Sequence, residues 1–489
     1  MAKFAFDTQP ALRYLSDAEI VRVHKAAMTV LEEVGVFFDN EELISVLAGA
    51  GCQADLATKV VKIPSALAED CIRKVPESFD LYDRSGGYAL TVGGPTYHFD
   101  PGSAGLNFLE SDGATCRPAT TADMENTARI VDALPLYRIQ STAMTLSDVP
   151  KPVMDCYRVY LVLKNSTKPI STGAFSPEGV FYVQALLASV RGGKKALRER
   201  PMATMDICSA PPLKWSSLSC YNLMDCAKLG LPIETISVPM PGAASPATLA
   251  GSLVIQVAEA VSGIVSAQLS SPGAKMIMGG APMTMDMRYF TTSLNAVETS
   301  QIGTGFAQVA RYYGIPSHTY AGLADPKVVD VQAGLETGVS GLAAALGGVN
   351  MISGVGMVDF VNTFSLEKLV IDHEMVAMVD RITRGFAVTD ETLALDVIAA
   401  VGPGGEYLKE RHTMKHIRSE IYAPPSVIDK KNRETWEAEG KKDAFARARE
   451  EVSRLLAGHA PAPLAPAAAA KLKDAMSEIA EKAGCCVVL

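Results

Sequence analysis

A short apolar run, a small-residue or proline-containing loop and an amphipathic stretch recur eight times between about residue 96 and residue 385, and this repetition narrows the fold more than any other feature. The apolar runs are Thr96 to Asp100, Ile139 to Thr145, Pro169 to Phe175, Met202 to Ser209, Pro232 to Met240, Lys275 to Ala281, Ser317 to Gly322 and Val349 to Gly356. Strands that alternate with helices pair in parallel, because a parallel partner is reached only through a crossover. Eight such units match an α/β fold of the (β/α)8 TIM barrel type, whose usual size is about 250 residues before insertions. An open doubly wound sheet is the other arrangement this alternation allows. Ser176-Pro177, Ser245-Pro246 and Asp325-Pro326 each set a capping side chain before a proline suited to a first helical position. Thr120 with Asp123 forms a capping box, and Gly347-Gly348 supplies a left-handed end for the seventh helix.

Residues 1–95 read as an N-terminal α+β segment in front of the 96–385 barrel. A capping box over Ser16 to Glu19 opens a helix that closes at Gly35, and a second helix starts at Asp39, with Glu42 three residues on. Short strand candidates follow around Val60 to Ile63, Ser78 to Leu81 and Tyr88 to Val92. Residues 386–489 form a C-terminal helical extension, with helical patterns over 389–401, 406–420 and 432–457. A Pro/Ala linker from His459 and a last short helix complete it. This extension is expected to cap the barrel or dock a partner.

With 45 basic against 54 acidic side chains and a net charge of -9, the chain has no basic patch for a nucleic-acid backbone, so no nucleic acid is expected. Nine cysteines without paired metal spacing read as reduced thiols of a cytoplasmic protein. The N-terminal twenty residues contain no apolar signal core. The uncharged stretch Gly341 to Val358 is broken by Gly347, Gly348, Gly354 and Gly356, and reads as helix end, turn and buried strand rather than a membrane span. Long apolar helices such as Leu249 to Leu269 would suit a homo-oligomer.

In a TIM barrel the chemistry lies at the C-terminal strand ends. That filter selects Tyr97, His98, Phe99 and Asp100, then Met144, Thr172 and Phe175, then Ser209 to Pro212, Met240, Pro241 and Ala281 to Met283 with Arg288 beyond. His318, Tyr320, Gly322, Gly354 and Gly356 complete it. The set is apolar, aromatic and glycine-rich, with no Ser-His-Asp arrangement or Gly-x-Ser-x-Gly elbow. Aromatic faces attract quaternary ammonium groups by about 0.5–2 kcal/mol per contact, although Tyr97 and Phe99 are equally accounted for by packing. His412 and His416 share a helix face at zinc-enzyme spacing but lack the accompanying Glu, so a solvated face is expected and no metal site. The Ser353 to Gly356 turn could hold a phosphate or let a flat cofactor approach the backbone. His373, between Asp372 and Glu374 with Glu367 upstream, is an acid or a substrate-carboxylate contact, or else part of a helix-surface ion cluster.

The runs AGLADPKVVDVQAGLETGVSGLAAALGGVNMISGVGMVDF (321–360) and EKLVIDHEMVAMVDR (367–381) resemble the trimethylamine methyltransferase (MttB) superfamily. YHFDPGSAGLNFLESDGATCRPAT from Tyr97 and GGAPMTMDMRYFTTSLNAVE from Gly279 are similar too, so the likeness covers most of the chain. The resemblance implies a (β/α)8 barrel that moves a methyl group from a methylamine or quaternary amine to the Co(I) of a corrinoid (cobalamin) carried by a cognate corrinoid protein. Trimethylamine members place a pyrrolysine near the end of the seventh strand. The matching Gly322 to Ala324 are ordinary residues here, which points to the members that demethylate glycine betaine, proline betaine, carnitine and similar compounds.

For such a substrate an aromatic cage of Tyr97, Phe99, Phe175 and Tyr320 is expected, with Asp100 behind it, because a quaternary ammonium leaves as a neutral amine and needs chiefly orientation. His318, Arg288 and His373 are the expected receptors for a betaine carboxylate, with His373 and His318 favoured as catalytic residues. Gly322, Gly354 and Gly356 are expected to admit the corrinoid face. The chain lacks the Asp-x-His-x-x-Gly motif that ligates cobalt, so the cofactor arrives on the partner. Two other readings stand beside this one: a different (β/α)8 enzyme acting on a phosphorylated substrate, and a quaternary amine binding protein without turnover.

Overall fold

Each of the eight apolar runs contains a parallel strand: β1 (His98–Pro101), β2 (Gln140–Ser141), β3 (Ile170–Gly173), β4 (Ala203–Cys208), β5 (Ile233–Ser237), β6 (Met276–Gly280), β7 (His318–Tyr320) and β8 (Met351–Val355). These come from a computed structural model that describes residues 11–102 and 104–489. The helices after them are α1 (Thr121–Ala133), α2 (Met154–Asn165), α3 (Gly179–Arg191), α4 (Ser217–Leu229), α5 (Leu249–Ser270), α6 (Val297–Tyr313), α7 (Val331–Gly347) and α8 (Leu366–Arg384).

Strands β2 to β6 form one parallel sheet in chain order, and β7, β8 and β1 form a second. One isolated parallel bridge stands at each seam, Met278 with Ser317 between β6 and β7, and Phe99 with Tyr137 between β1 and the approach to β2. The last strand lies beside the first, with Ser353 opposite Asp100. The α/β class and parallel order expected from the sequence are therefore present, while the hydrogen-bonded ladder thins to single bridges where β2 and β7 shrink to two and three residues.

An antiparallel hairpin, Ser78–Tyr82 with Tyr88–Gly93, closes the N-terminal end of these strands. Its Phe79, Leu81, Leu90 and Val92 cluster with Ile139, Ile277 and Met351 at the lower ends of β2, β6 and β8. Apolar burial at that end leaves the opposite one for polar chemistry. The strand Val36–Phe38 pairs in parallel with Lys214–Trp215 in the β4–α4 loop, and the helix Asp17–Thr29 packs on α5. Near the C-terminus, Ala444–Gly458 packs on α8 and α1, and Pro466–Lys482 on α3. Helix α5 is long and apolar enough to cross a membrane by length and composition, but 72% of its most apolar window is buried inside the protein. Between Val379 and Val427 no residue is buried, although Asp390–Leu393, Leu395–Val401 and Arg411–Glu420 are helical.

Capping explains where the helices begin. The boxes at Ser16 and Thr120 form as expected, and Gly348, at φ 76°, ends α7. Other boundaries are corrected. The second helix is capped by Asn40 rather than Asp39, the Asn side chain accepting the Leu43 N–H. The three X-Pro pairs lie upstream of their helices, which start after Glu178, Thr248 and Asp330. The residue before proline favours extended backbone, and these loops use it to leave the strand ends. The last helix begins at Pro466 and absorbs the alanines assigned to the linker, as the strongest helix former would.

Candidate functional site

Period-two alternation decides which strand residues face the interior. Asp100 on β1 and Asp206 on β4 are on strands that are not neighbours, yet the Asp206 charge raises the Asp100 carboxyl, and both line the interior. Glu234 on β5 is the register partner of Asp206. On β4 the inward residues become more accessible toward the C-terminal end, from buried Thr204 through half-buried Asp206 to exposed Cys208. That gradient describes an interior open at the strands' C-terminal ends. Cys208 meets solvent but is hemmed in by protein, which pushes its thiol up to about 12.

The three inward carboxyls are all displaced upward. Burial raises Asp100 well above the ordinary aspartate range, partly offset by Ser353. Burial likewise raises Asp206, with Glu234, Ser171 and Arg158 acting in the other direction. Glu234 is raised by burial and by the adjacent Asp206 charge. The two acids stand opposite each other in register, so ionising one disfavours ionising the other. Both Glu234 oxygens, Asp100 Oδ2 and His318 Nδ1 have no hydrogen-bond partner among the described residues.

A polar chain runs along the β7–β8–β1 side. His318 Nε2 lies 2.9 Å from Ser353 Oγ, which donates to Asp100 Oδ1 at 2.6 Å. Burial pushes His318 down to about 3, so its imidazole is neutral and serves as a hydrogen-bonding group, not a cation. The Tyr320 ring stands edge-on to it, centroids 5.2 Å apart. Behind β4 and β5, Glu259 on α5 accepts from Ser209 Oγ at 2.7 Å, Ser237 Oγ at 2.5 Å and the Leu213 N–H at 2.7 Å, which fixes the β4–α4 loop.

Of the residues expected at the site, Asp100, His318 and Tyr320 meet in the interior, and Phe175 stands exposed above β3 with the Arg158 guanidinium 5.4 Å from its ring centroid. The others are elsewhere. Tyr97 and Phe99 alternate to the outer face, where Tyr97 Oη bonds Thr383 Oγ1 on α8 at 2.7 Å and Phe99 is fully buried beside Gly341 of α7. The interior is accordingly lined by carboxyls and is not an aromatic cage. Arg288 lies on an exposed hairpin, paired with Asp286.

His373 packs edge-on against Tyr137, ring centroids 5.4 Å apart, and its Nε2 accepts the Leu136 N–H at 3.4 Å. Leu136 and Tyr137 precede β2, so His373 is at the closed end of the strands. Burial lowers it to about 4, which makes it a neutral packing residue. Its neighbours are equally committed: Asp372 binds Lys368 Nζ at 2.6 Å and the Gly356 N–H at 2.7 Å, and Glu374 accepts the Ser426 and Val427 N–H groups.

The three glycines are buried packing positions instead of a landing surface. A Cβ on Gly354 would come within 2.5 Å of the Ala321 carbonyl oxygen, and one on Gly356 within 2.7 Å of the Phe364 ring, while Gly322 lies over Phe99 and Met375. With its N–H held by Asp372, Gly356 is not available to a phosphate either.

Sequence reading missed Asp206, Glu234, Ser353, Arg158 and Glu259. Two of these carried a signal, since Asp206 and Glu234 are acids in the middle of otherwise apolar strand runs, where a charge is retained only for a partner or a function.

The chain arranges its parallel strands in ring order around an interior lined by Asp100, Asp206 and Glu234. Its fold is similar to the crystal structure of the Methanosarcina barkeri monomethylamine methyltransferase (MtmB), with a TM-score of 0.55 at 13% identity, covering 99% of this chain and 91% of that one. The trimethylamine methyltransferase (MTTB) family model matches residues 2–484, and the chain is a methyltransferase of that family. It is 33% identical over 469 residues to the trimethylamine methyltransferase MttB of Desulfitobacterium hafniense, covering 96% of this chain and 94% of the relative. It is also 31% identical over 477 residues to a glycine betaine methyltransferase from another strain of that species, covering 97% and 98%.

Proposed function

We propose that this chain moves a methyl group from a quaternary amine, of the glycine betaine, proline betaine or carnitine kind, to the Co(I) of a corrinoid delivered by a separate carrier protein. The two sheets are read as one closed (β/α)8 barrel spanning 96–385, joined through their seam bridges, with 1–95 and 386–489 as flanking segments. The observation that carries the reading is the Asp206–Glu234 pair, opposite in register on β4 and β5, Glu234 fully buried and Asp206 half-buried, lining the same interior as Asp100 and neutral His318. Ordinary residues at Gly322 to Ala324, and a relative named as a glycine betaine methyltransferase, support a quaternary donor.

The acids attract the ammonium, and their raised pKa values mute the charge that would otherwise hold the cationic ground state too tightly. When the methyl carbon leaves for the acceptor, the C–N electron pair stays on nitrogen and a neutral amine remains. The proton held by the Asp206–Glu234 pair then passes to that lone pair, which blocks methyl return and releases an ammonium product. Ser353 and His318 hold Asp100 in place during this change of charge.

Exposed apolar side chains rim the accessible end: Leu106, Phe175, and Met287, Tyr289 and Phe290 of the hairpin after β6. They are the proposed landing surface for the carrier. The exposed apolar residues of the 380–426 arm, among them Phe386, Leu395, Ile398 and Ile421, are assigned to contacts within a cytoplasmic homo-oligomer. The test is product analysis: incubation with glycine betaine and Co(I) corrinoid should yield the demethylated amine in stoichiometric amount, and intact betaine alongside a carrier shown to be competent contradicts the reading.

A further inference from the structure

We propose that Arg158 is the receptor for a carboxylate on the substrate, so that the pocket is built for a zwitterion and discriminates against methylated amines that carry no anion. This inference rests on the methyl-donor reading above and names the part of the substrate that sets its specificity.

Arg158 stands on α2 and is 2% exposed. Its Nη1 donates to the carbonyls of Thr142 at 3.0 Å and Met144 at 3.3 Å, where the chain leaves β2 toward the accessible end. The opposite edge of the fork is unmatched. Nε is buried without a partner, Nη2 donates to no described residue, and no carboxylate among the described residues is within ion-pair distance. Asp155, the nearest acid in sequence, already accepts the Phe175 N–H at 2.6 Å. A buried guanidinium without a bidentate partner is costly, and its Nε–Nη2 edge presents the two parallel N–H groups that a carboxylate matches.

Placement makes this edge a binding feature. The exposed Phe175 ring lies with its centroid 5.4 Å from the guanidinium, and Asp206 is close enough for each charge to shift the other's titration. The cationic end of a substrate meets Asp206, Glu234 and Asp100, while its anionic end meets Arg158. Fixing both ends leaves one rotational freedom, about the molecule's long axis, and turns an N-methyl group toward the open end. Arg158 is therefore a specificity and positioning residue, distinct from the acids that handle the proton.

The test is calorimetric titration of the full chain with glycine betaine and with choline, which carries a hydroxyl where betaine carries a carboxylate. The wild type should bind betaine at least tenfold more tightly than choline. Arg158→Gln should lose tenfold or more in betaine affinity, keep its choline affinity within twofold, and so abolish the preference. Arg158→Lys, which keeps the charge but not the fork, should fall between them and covers the case in which the glutamine variant does not fold. Equal binding of the two ligands by the wild type, binding of neither, or unchanged betaine affinity in the folded variants overturns the inference. The outcomes separate from those of the methyl-donor reading: methyl transfer from choline as fast as from betaine sinks the role of Arg158 alone, whereas selective betaine binding without any transfer sinks the donor reading alone.

Discussion

Asp206 on β4 and Glu234 on β5 are opposite each other in register on adjacent parallel strands, Glu234 fully buried and Asp206 half-buried, and the charge of Asp206 raises the Glu234 carboxyl. Neither acid has a full counter-charge there; Arg158 is near Asp206 but not ion-paired with it. Such a pair is expensive to keep, and its raised titration is the property that chemistry can use.

Asp206→Asn or Glu234→Gln should lower steady-state turnover by about a hundredfold, the usual scale for losing a proton donor, because the proton is delivered after the methyl has left and sets product release. In the wild type the rate should fall as pH rises and the shared proton is lost, and in either variant that limb should flatten. Steady-state turnover rates across pH check both.

The same pair should mark the stability profile. An acid whose folded pKa is raised contributes stability that is fully present below the ordinary aspartate value and is lost as pH rises through about 7 for Asp206. Asp206→Asn should therefore gain melting temperature relative to wild type at pH 8.5 and much less at pH 5, as scanning calorimetry would show.

His373→Gln should leave turnover within about twofold, because His373 packs at the closed end against Tyr137. It should instead soften acid denaturation. His98, His318 and His373 are held neutral by burial, at about 4, 3 and 4, so their stability is present above the ordinary histidine value and lost as pH falls toward those figures. Removing one should recover on the order of 1–3 kcal/mol between pH 6.5 and 4, measured by urea unfolding.

Lys368 and Asp372 form an ion pair one helical turn apart on α8, with side chains 1% and 3% exposed. Lys368→Met should cost about 3–5 kcal/mol, since it strands a buried carboxylate, and adding Asp372→Asn should restore part of the loss. Denaturant titration of the single and double variants tests this.

Sedimentation should find the chain as a dimer or larger, and Leu395→Asp with Ile398→Asp should release monomers. The 380–426 arm buries none of its own residues, so its order calls for a surface beyond the chain. A monomeric wild type at micromolar concentration contradicts that assignment.

The framework was legible because apolar runs bounded by loops locate buried strands well: of the eight parallel strands β1 to β8, seven fall within the runs read from the sequence and β1 extends one residue past its run. The site was less legible, for a directional reason. Side chains alternate along a strand, which turns Tyr97 and Phe99 outward and Asp100 inward although all three close one run. Asp206 and Glu234 lie inside their runs, Glu234 one residue into β5, and not at the strand ends. His373 looked reactive because it lies between two acids in sequence, yet both neighbours are spent on Lys368, Gly356 and the 426–427 backbone. Arg158 gave no signal, since one arginine on a helix cannot be told from a surface residue until its burial and unmatched edge are seen.

The most direct measurement of the central claim is visible absorption of a carrier-bound Co(I) corrinoid mixed with this protein and, in turn, glycine betaine, proline betaine, carnitine, choline and trimethylamine. The Co(I) band should decay, with growth of the methylated corrinoid, for at least one carboxylate-bearing quaternary amine and not for trimethylamine. Transfer from trimethylamine alone, or a Co(I) band unchanged by every quaternary amine while the carrier accepts methyl groups from another enzyme, would contradict that claim.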